Sequence, residues 1–321
     1  METTNPAVNW LLESDEPSVR YQTLTDLLGE PADSPEARKL QAAIPKSRRV
    51  QTLLSDQQAD GGFGVHPYHK WLGAHWRLVS LVELAVPQGH RRAVSAAKQV
   101  LEWLTSPQHK KQVRLIDGRI RRCASQEGNA QAVCCRLGMV GDPRVTYLAD
   151  SLISWQWPDG GWNCDKYPLA HHSSFHESLI PLWGLIEYHR ATGDRNALKA
   201  AHGTAEFFLR HSLFRSEKTG EIIDPKWLQI RYPCYWHYDI LQALLILSRL
   251  SKLKDPRMNE ALEIIESKRL PDGRWKADGY YWKIACGAEC YADPVGWWRK
   301  SPNKMITLNA LRVLKAAGRW K

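Results

Sequence analysis

One turn, written four times, constrains this chain more than any other feature: Asp60-Gly61-Gly62-Phe63, Asp117-Gly118-Arg119-Ile120, Asp159-Gly160-Gly161-Trp162 and Asp272-Gly273-Arg274-Trp275. Glycine lets a chain reverse sharply just past a helix end, and the same punctuation recurring along a sequence is the mark of stacked repeats. Ahead of these turns run segments such as Ala93, Val94, Ala97, Val100, Leu101 and Leu104, or Val145, Leu148, Leu152 and Ile153. Their apolar residues follow helical spacing on one face only. Behind the turns come loops rich in aromatics, His and Cys, then more apolar stretches: Trp76 to Leu84, Phe175 to Tyr188, Tyr238 to Leu250 and Met305 to Val313. Such segments predict deeper burial. Start signals repeat too, as Asp142-Pro143-Arg144, Asp194-Arg195-Asn196 and Asp255-Pro256-Arg257, with Asp suited to the N-cap and Pro to the first turn.

The pattern predicts inner helices near 18–28, 75–85, 129–139, 175–189, 237–250 and 303–316, and outer helices near 5–12, 36–55, 91–105, 143–155, 195–211 and 256–268. Six of each suggest an all-α (α/α)6 toroid forming one domain over residues 1–321; stacked hairpins could equally make an open solenoid, but closure lets the first and last units cap each other, and the choice of a ring rests partly on resemblance. A hydrophobic fraction of 43% and a charged fraction of 24% suffice for a core without disulfides. The start METTNPAVNWLLESDEPSVR carries acids where a signal peptide needs bases, and no apolar run approaches the ~20 residues of a membrane-spanning helix. The expectation is a cytoplasmic protein with no transmembrane segment, peripheral membrane contact being left open. Seven cysteines, an odd number, predict free thiols or a metal site rather than a disulfide framework. The net charge of +10 is spread along the chain, which argues against nucleic acid.

Gln156-Trp157-Pro158-Asp159-Gly160-Gly161-Trp162 resembles the Gln-Trp repeat of squalene and oxidosqualene cyclases; Gln58-Ala59-Asp60-Gly61-Gly62-Phe63 is similar to a second copy, and Arg269 to Trp275 to a degenerate third. Physically, the glutamine can bridge a helix end to the neighbouring backbone while the ring covers the turn. The resemblance, to the terpenoid cyclase and protein prenyltransferase superfamily of helical toroids, implies a small hydrophobic, isoprenoid-type ligand in the central cavity, cyclised or transferred there. The Asp-x-Asp-Asp acid motif of such cyclases does not occur, and the local match to the prenyltransferase zinc pattern, Cys234-Tyr235-Trp236-His237-Tyr238, has Tyr232 where Asp would stand.

Loops leading into the inner helices line one mouth of such a ring, so their polar residues converge. His176, Glu177, His237 and Asp239 are the candidate catalytic acids and bases. Trp71, His75, Glu127, His172, Trp183 and Trp236 are candidate substrate-binding residues, the tryptophans offering cation-stabilising faces. His172 and His176 share one face if the helix already covers both. Cys123, Cys164 and Cys234, with Cys286 or Cys290, each approach an inner helix and are candidate ligands for zinc. The same residues would equally make a polar network that holds helix starts. His66, His69, Lys70 and Trp76, with Trp297, Trp298, Arg299, Lys300 and Lys304, add bases beside aromatics. Two further readings remain: a glycan-cleaving (α/α)6 enzyme with tryptophan platforms and a carboxylate pair such as Glu177 and Asp239, and a non-catalytic binding scaffold.

Overall fold

The computed structural model describes residues 5–279 and 301–320. Its outer helices are α1 (Pro6–Leu12), α3 (Pro35–Ala43) with α4 (Arg48–Leu54), α6 (Arg91–Thr105), α9 (Pro143–Trp155), α11 (Arg195–Arg210) and α13 (Asn259–Ser267). The inner helices are α2 (Pro17–Gln22), α5 (Ala74–Glu83), α8 (Ser125–Arg136), α10 (Phe175–Thr192), α12 (Ile240–Ser248) and α14 (Lys304–Ala316), and α7 (Pro107–Lys110) is a short addition after α6. The predicted outer segment 36–55 is divided by a tight turn at Ile44–Lys46, where Pro45 cannot donate a helical hydrogen bond. The last turn of the first inner helix widens into a π-helical stretch, Thr23–Leu27.

Neighbouring inner helices pack in sequence, α5 on α8, α8 on α10, α10 on α12 and α12 on α14, and α14 closes the ring on α1 and α2. At that seam Lys315 Nζ donates to the carbonyls of Asp26 and Leu27, each at 2.9 Å, and Arg312 donates to Gln22 Oε1 at 2.9 Å. The chain is therefore an all-α (α/α)6 toroid. The expected Asp starts are in place: Asp142 and Asp194 each accept a backbone N–H from the first turn of α9 and α11, and Asp255 accepts that of Arg257 in the turn before α13; Asp239, expected as an acid or base, caps α12.

Three of the four Asp-Gly turns join an outer helix to the loop behind it. Gly61, Gly160 and Gly273 have φ of 91°, 100° and 82°, and a Cβ on Gly160 would lie 2.4 Å from the carbonyl oxygen of Gly203 on α11. Glycine is required there both for backbone sign and for close approach. The fourth differs: Asp117-Gly118 turns an antiparallel β-hairpin, β1 (Arg114–Ile116) with β2 (Arg119–Arg121). Behind it the inner helix expected at 129–139 runs from Ser125 to Arg136.

The glutamines behave as ties. Gln156 Nε2 donates to the carbonyls of Gly160 and Ala200 and to Thr204 Oγ1, each at 2.9 Å. Gln57, rather than Gln58, is its counterpart, donating to the carbonyls of Gly61 and Arg92 at 2.9 Å. Trp162 and Trp275, both fully buried, each donate Nε1 to a carbonyl ten residues earlier, that of Leu152 at 3.0 Å and of Ile265 at 2.8 Å. These residues staple one hairpin to the next.

Candidate active site at the N-terminal mouth

Long segments enter the N-terminal ends of the inner helices, 55–73 before α5, 111–124 before α8, 156–174 before α10 and 211–239 before α12. The β-hairpin sets the centre of this mouth. Arg121 pairs with Asn163 in a parallel bridge and Arg122 N donates to the carbonyl of Asn163 at 3.1 Å, which brings Cys123 alongside Cys164. Arg121 holds the loop above by donating to the carbonyls of Ala170 at 2.7 Å and Pro168 at 3.2 Å, with its guanidinium over the Trp157 ring.

Two carboxylates stand at the starts of adjacent inner helices. Helices α8 and α10 touch where glycine leaves room: a Cβ on Gly128 would meet the backbone nitrogen of Pro181 at 2.6 Å, and one on Gly184 the carbonyl oxygen of Gly128 at 2.7 Å. Glu127 and Glu177 stand close enough for their charges to interact. Glu127 Oε1 accepts from Arg122 Nε at 2.9 Å and Nη2 at 2.7 Å, and from His109 Nε2 at 3.0 Å, while its Oε2 is buried without a partner. Burial pushes its pKa up, but the His109 and Arg122 hydrogen bonds and the Arg122 charge outweigh that and leave it below the usual carboxylate range. Glu177 Oε2 accepts the N–H of Ser125, the first residue of α8, at 3.0 Å, and the Ser125 side chain also hydrogen-bonds the carboxyl. Burial raises its pKa, and the neighbouring charge of Glu127 raises it further.

Cys123, Cys164 and Glu177 each present a ligand atom within 4.8 Å of the others. Two sulfurs and one carboxylate oxygen suit zinc, which takes three protein ligands and an open fourth position at catalytic sites. The hydrogen bond between the thiols raises the pKa of Cys123 and lowers that of Cys164. Cys234 is elsewhere: its buried Sγ donates to the carbonyl of Arg231 at 3.1 Å and to Asp239 Oδ2 at 3.5 Å. Cys286, Cys290, Trp297, Trp298, Arg299 and Lys300 lie outside the described residues.

The other predicted residues divide into three groups. Asp239 is fully buried and caps α12, accepting from Gln242 N at 2.9 Å and Arg231 N at 3.2 Å, with its pKa pushed up to about 6 by burial. His176 Nδ1 accepts the N–H of Tyr238 at 2.9 Å, His237 Nδ1 lies 3.2 Å from the carbonyl of Cys234, and burial lowers the pKa of both, that of His237 to about 4. These groups pin the segment that leads into α12. His172 is exposed and precedes α10, which begins at Phe175, so it does not share a helical face with His176. Trp183 lies two turns into α10 and lines a cavity at the opposite end of the ring.

Trp71 and Trp236 do meet, stacked with centroids 5.8 Å apart, inside a wall that also contains Tyr68, Trp76 and Tyr235. Trp71 and Tyr235 touch each other with φ of 69° and 55°, a left-handed backbone costing of order 1 kcal/mol or more at a bulky residue, and such strain concentrates at functional loops. His75 is buried beside Tyr68 with Nε2 unpartnered, and burial lowers its pKa to about 3. Arg122, His109, Tyr68 and Tyr235 had no periodic signal to single them out; their roles come from contacts between separate loops.

No family model matches the sequence, and no curated protein matches it. A solved structure does: a glycosyl hydrolase family 88 protein from Bacteroides vulgatus, 13% identical, covering 98% of this chain and 96% of that one with a TM-score of 0.52. At that identity the likeness establishes the ring fold. It also corrects the expectation drawn from the Gln-Trp segments, because a protein that matches end to end is a glycosyl hydrolase, not a terpenoid cyclase or prenyltransferase. The isoprenoid ligand, and its cyclisation or transfer, fall with that expectation. The physical reason lies in the motif, whose glutamines and tryptophans are spent on stapling hairpins. Any ring of such hairpins has that need. Among the described residues no helix is long and apolar enough to cross a membrane.

Proposed function

We propose that this chain is a carbohydrate-active enzyme that cleaves a glycosidic bond at its N-terminal mouth. The observation that carries this reading is the pair Glu127 and Glu177, whose environments push their pKa values in opposite directions. Glycosidic hydrolysis needs one carboxylic acid that keeps its proton and one carboxylate that stays ionised. Glu177, raised by burial, is the proton donor to the leaving oxygen. Glu127, held ionised by Arg122 and His109, stabilises the positive charge that develops on the sugar or orients the attacking water. Trp71 and Trp236, half-buried in the aromatic wall, offer apolar surface against which a sugar ring can lie. The end-to-end likeness to a glycosyl hydrolase supports the same direction. This pairs Glu177 with Glu127 in place of Asp239.

The test is release of reducing ends from a panel of neutral and uronic oligosaccharides by wild type and Glu177→Gln. Turnover by wild type that falls by roughly 10²- to 10⁴-fold in the variant is expected for a general acid. A folded wild type inert across the whole panel would remove the proposal.

One observation favours a second reading. If Cys123, Cys164 and Glu177 hold zinc, the metal supplies Lewis-acid polarisation of a bound oxygen, and Glu177 is a ligand rather than a proton donor. Metal content by mass spectrometry on protein made without a His tag separates the two: one zinc per chain, lost in Cys164→Ser, supports the metal reading.

A further inference from the structure

The C-terminal mouth holds a cavity of about 520 Å³ that the proposed chemistry does not use. Among the described residues five cations line it: Arg136 at the end of α8, Arg190 in the last turn of α10, Arg249 just past α12, and Arg312 and Lys315 on α14. Arg136, Arg190, Arg249 and Lys315 sit where a helix C-terminus favours positive charge, and that accounts for one cation per helix end, not for their convergence with Arg312 on a shared hollow.

The carboxylates present do not neutralise them. Glu187 takes Arg249, with Arg136 3.6 Å away, and also accepts Trp183 Nε1 at 3.1 Å. Asp26, at the rim, takes Arg312. The third, Glu83, lies buried with Oε2 unpartnered, and burial pushes its pKa up to about 7, so near neutrality it is only partly charged. Arg249 meets burial and the charges of Arg136, Arg190 and Arg312, which together lower its pKa to about 10 despite Glu187. Arg312 Nε is likewise buried without a partner. Cations gathered in a recess of low dielectric focus a positive potential there, and guanidinium forks match carboxylate and phosphate oxygens two at a time.

We propose that this cavity binds a small organic polyanion, with one acidic group between Arg136 and Arg190 and another reaching Arg312 and Lys315, over the floor made by Trp183. The ligand's acidic groups are carboxylates or phosphates. The site is separate from Glu127 and Glu177, so its failure leaves the hydrolase reading standing, and the failure of that reading leaves this site standing.

Isothermal titration calorimetry of the full chain with inorganic pyrophosphate and, separately, citrate tests it, repeated with Arg190→Gln/Lys315→Gln, two changes at the exposed rim. Saturable one-to-one binding of pyrophosphate identifies a phosphate site and of citrate a polycarboxylate site. Either should weaken on the order of tenfold or more in the double variant and weaken with added salt. Arg190→Lys, which keeps the charge and loses the fork, gives an intermediate affinity and serves if the double variant does not fold. No saturable binding of either probe at millimolar concentration, or binding unchanged in the folded variants, overturns the proposal.

Discussion

The two ends of the ring are built from the same helices and differ in almost every chemical respect. At the N-terminal mouth long loops deliver aromatics, thiols, histidines and two buried glutamates. At the C-terminal mouth the connections are short, Gly193 and Asp194 alone joining α10 to α11, and the lining is mostly the helices' own last turns with their arginines. Helix polarity accounts for part of this. Exposed N–H groups at helix starts attract acids, as Ser125 N does Glu177, and exposed carbonyls at helix ends attract cations. Loop length accounts for the rest, because a site that needs groups from several directions requires chain that can be shaped independently of the helices.

The contrast yields predictions that diminish in size. The largest effect belongs to Glu177→Gln, with glycosidase activity down by roughly 10²- to 10⁴-fold and a melting temperature close to wild type, since the glutamine carbonyl still accepts from Ser125 N. A variant that keeps full activity would move the acid away from the N-terminal mouth.

Next come two variants on one helix, His75→Asn at the start of α5 and Glu83→Gln at its end. Folded His75 stays neutral to about pH 3 while its unfolded form protonates near 6.5, so acidification in that window favours unfolding of wild type. The variant should gain stability over wild type as pH falls, by up to on the order of 4 kcal/mol. Glu83 holds its proton to about pH 7 when folded and loses it near 4.5 when unfolded, so wild type weakens as pH rises through that window. Glu83→Gln should gain over wild type in the opposite direction, by about 3 kcal/mol. Denaturant unfolding at a series of pH values reads both; slopes of the same sign would erase the distinction between the two mouths.

Asp239→Ala should cost about 1 to 2 kcal/mol, the value of an N-cap, because the residue holds the α12 start and the Arg231 backbone. Activity lost well beyond what that destabilisation explains would return Asp239 to the acid–base pair. The smallest effect separates neighbours: Gln57→Ala should cost about 1 kcal/mol through its three lost hydrogen bonds, more than Gln58→Ala measured by the same thermal unfolding.

The fold was legible because its signals are local and repeated. Inner segments expected at 75–85, 175–189 and 303–316 appear at Ala74–Glu83, Phe175–Thr192 and Lys304–Ala316, the last two started by the Ser174 and Asn303 caps and the middle one stopped at Gly193, signals that act within a few residues. Asp117-Gly118 shows the limit, since the same dipeptide closes a helix or, between two extended segments that can pair, turns a hairpin. The site was legible only in its residue types. Glu177, Glu127, Cys123 and Cys164 stand out as polar groups beside inner helices, but their grouping depends on Arg122 pairing with Asn163 and on glycine contacts between α8 and α10. Asp239 and His176 look as reactive in sequence and are consumed in holding backbone. The Gln-Trp segments pointed to the wrong chemistry for the same reason, being parts of the frame.

The central claim, that Glu177 protonates a leaving group at the N-terminal mouth, is tested most directly by comparing two substrates with Glu177→Gln: a natural oligosaccharide, whose leaving alcohol needs a proton, and a dinitrophenyl glycoside, whose phenolate does not. The variant should lose cleavage of the oligosaccharide and retain most of its bond-breaking rate on the activated glycoside. Equal loss on both substrates, or no loss on either, would contradict the claim.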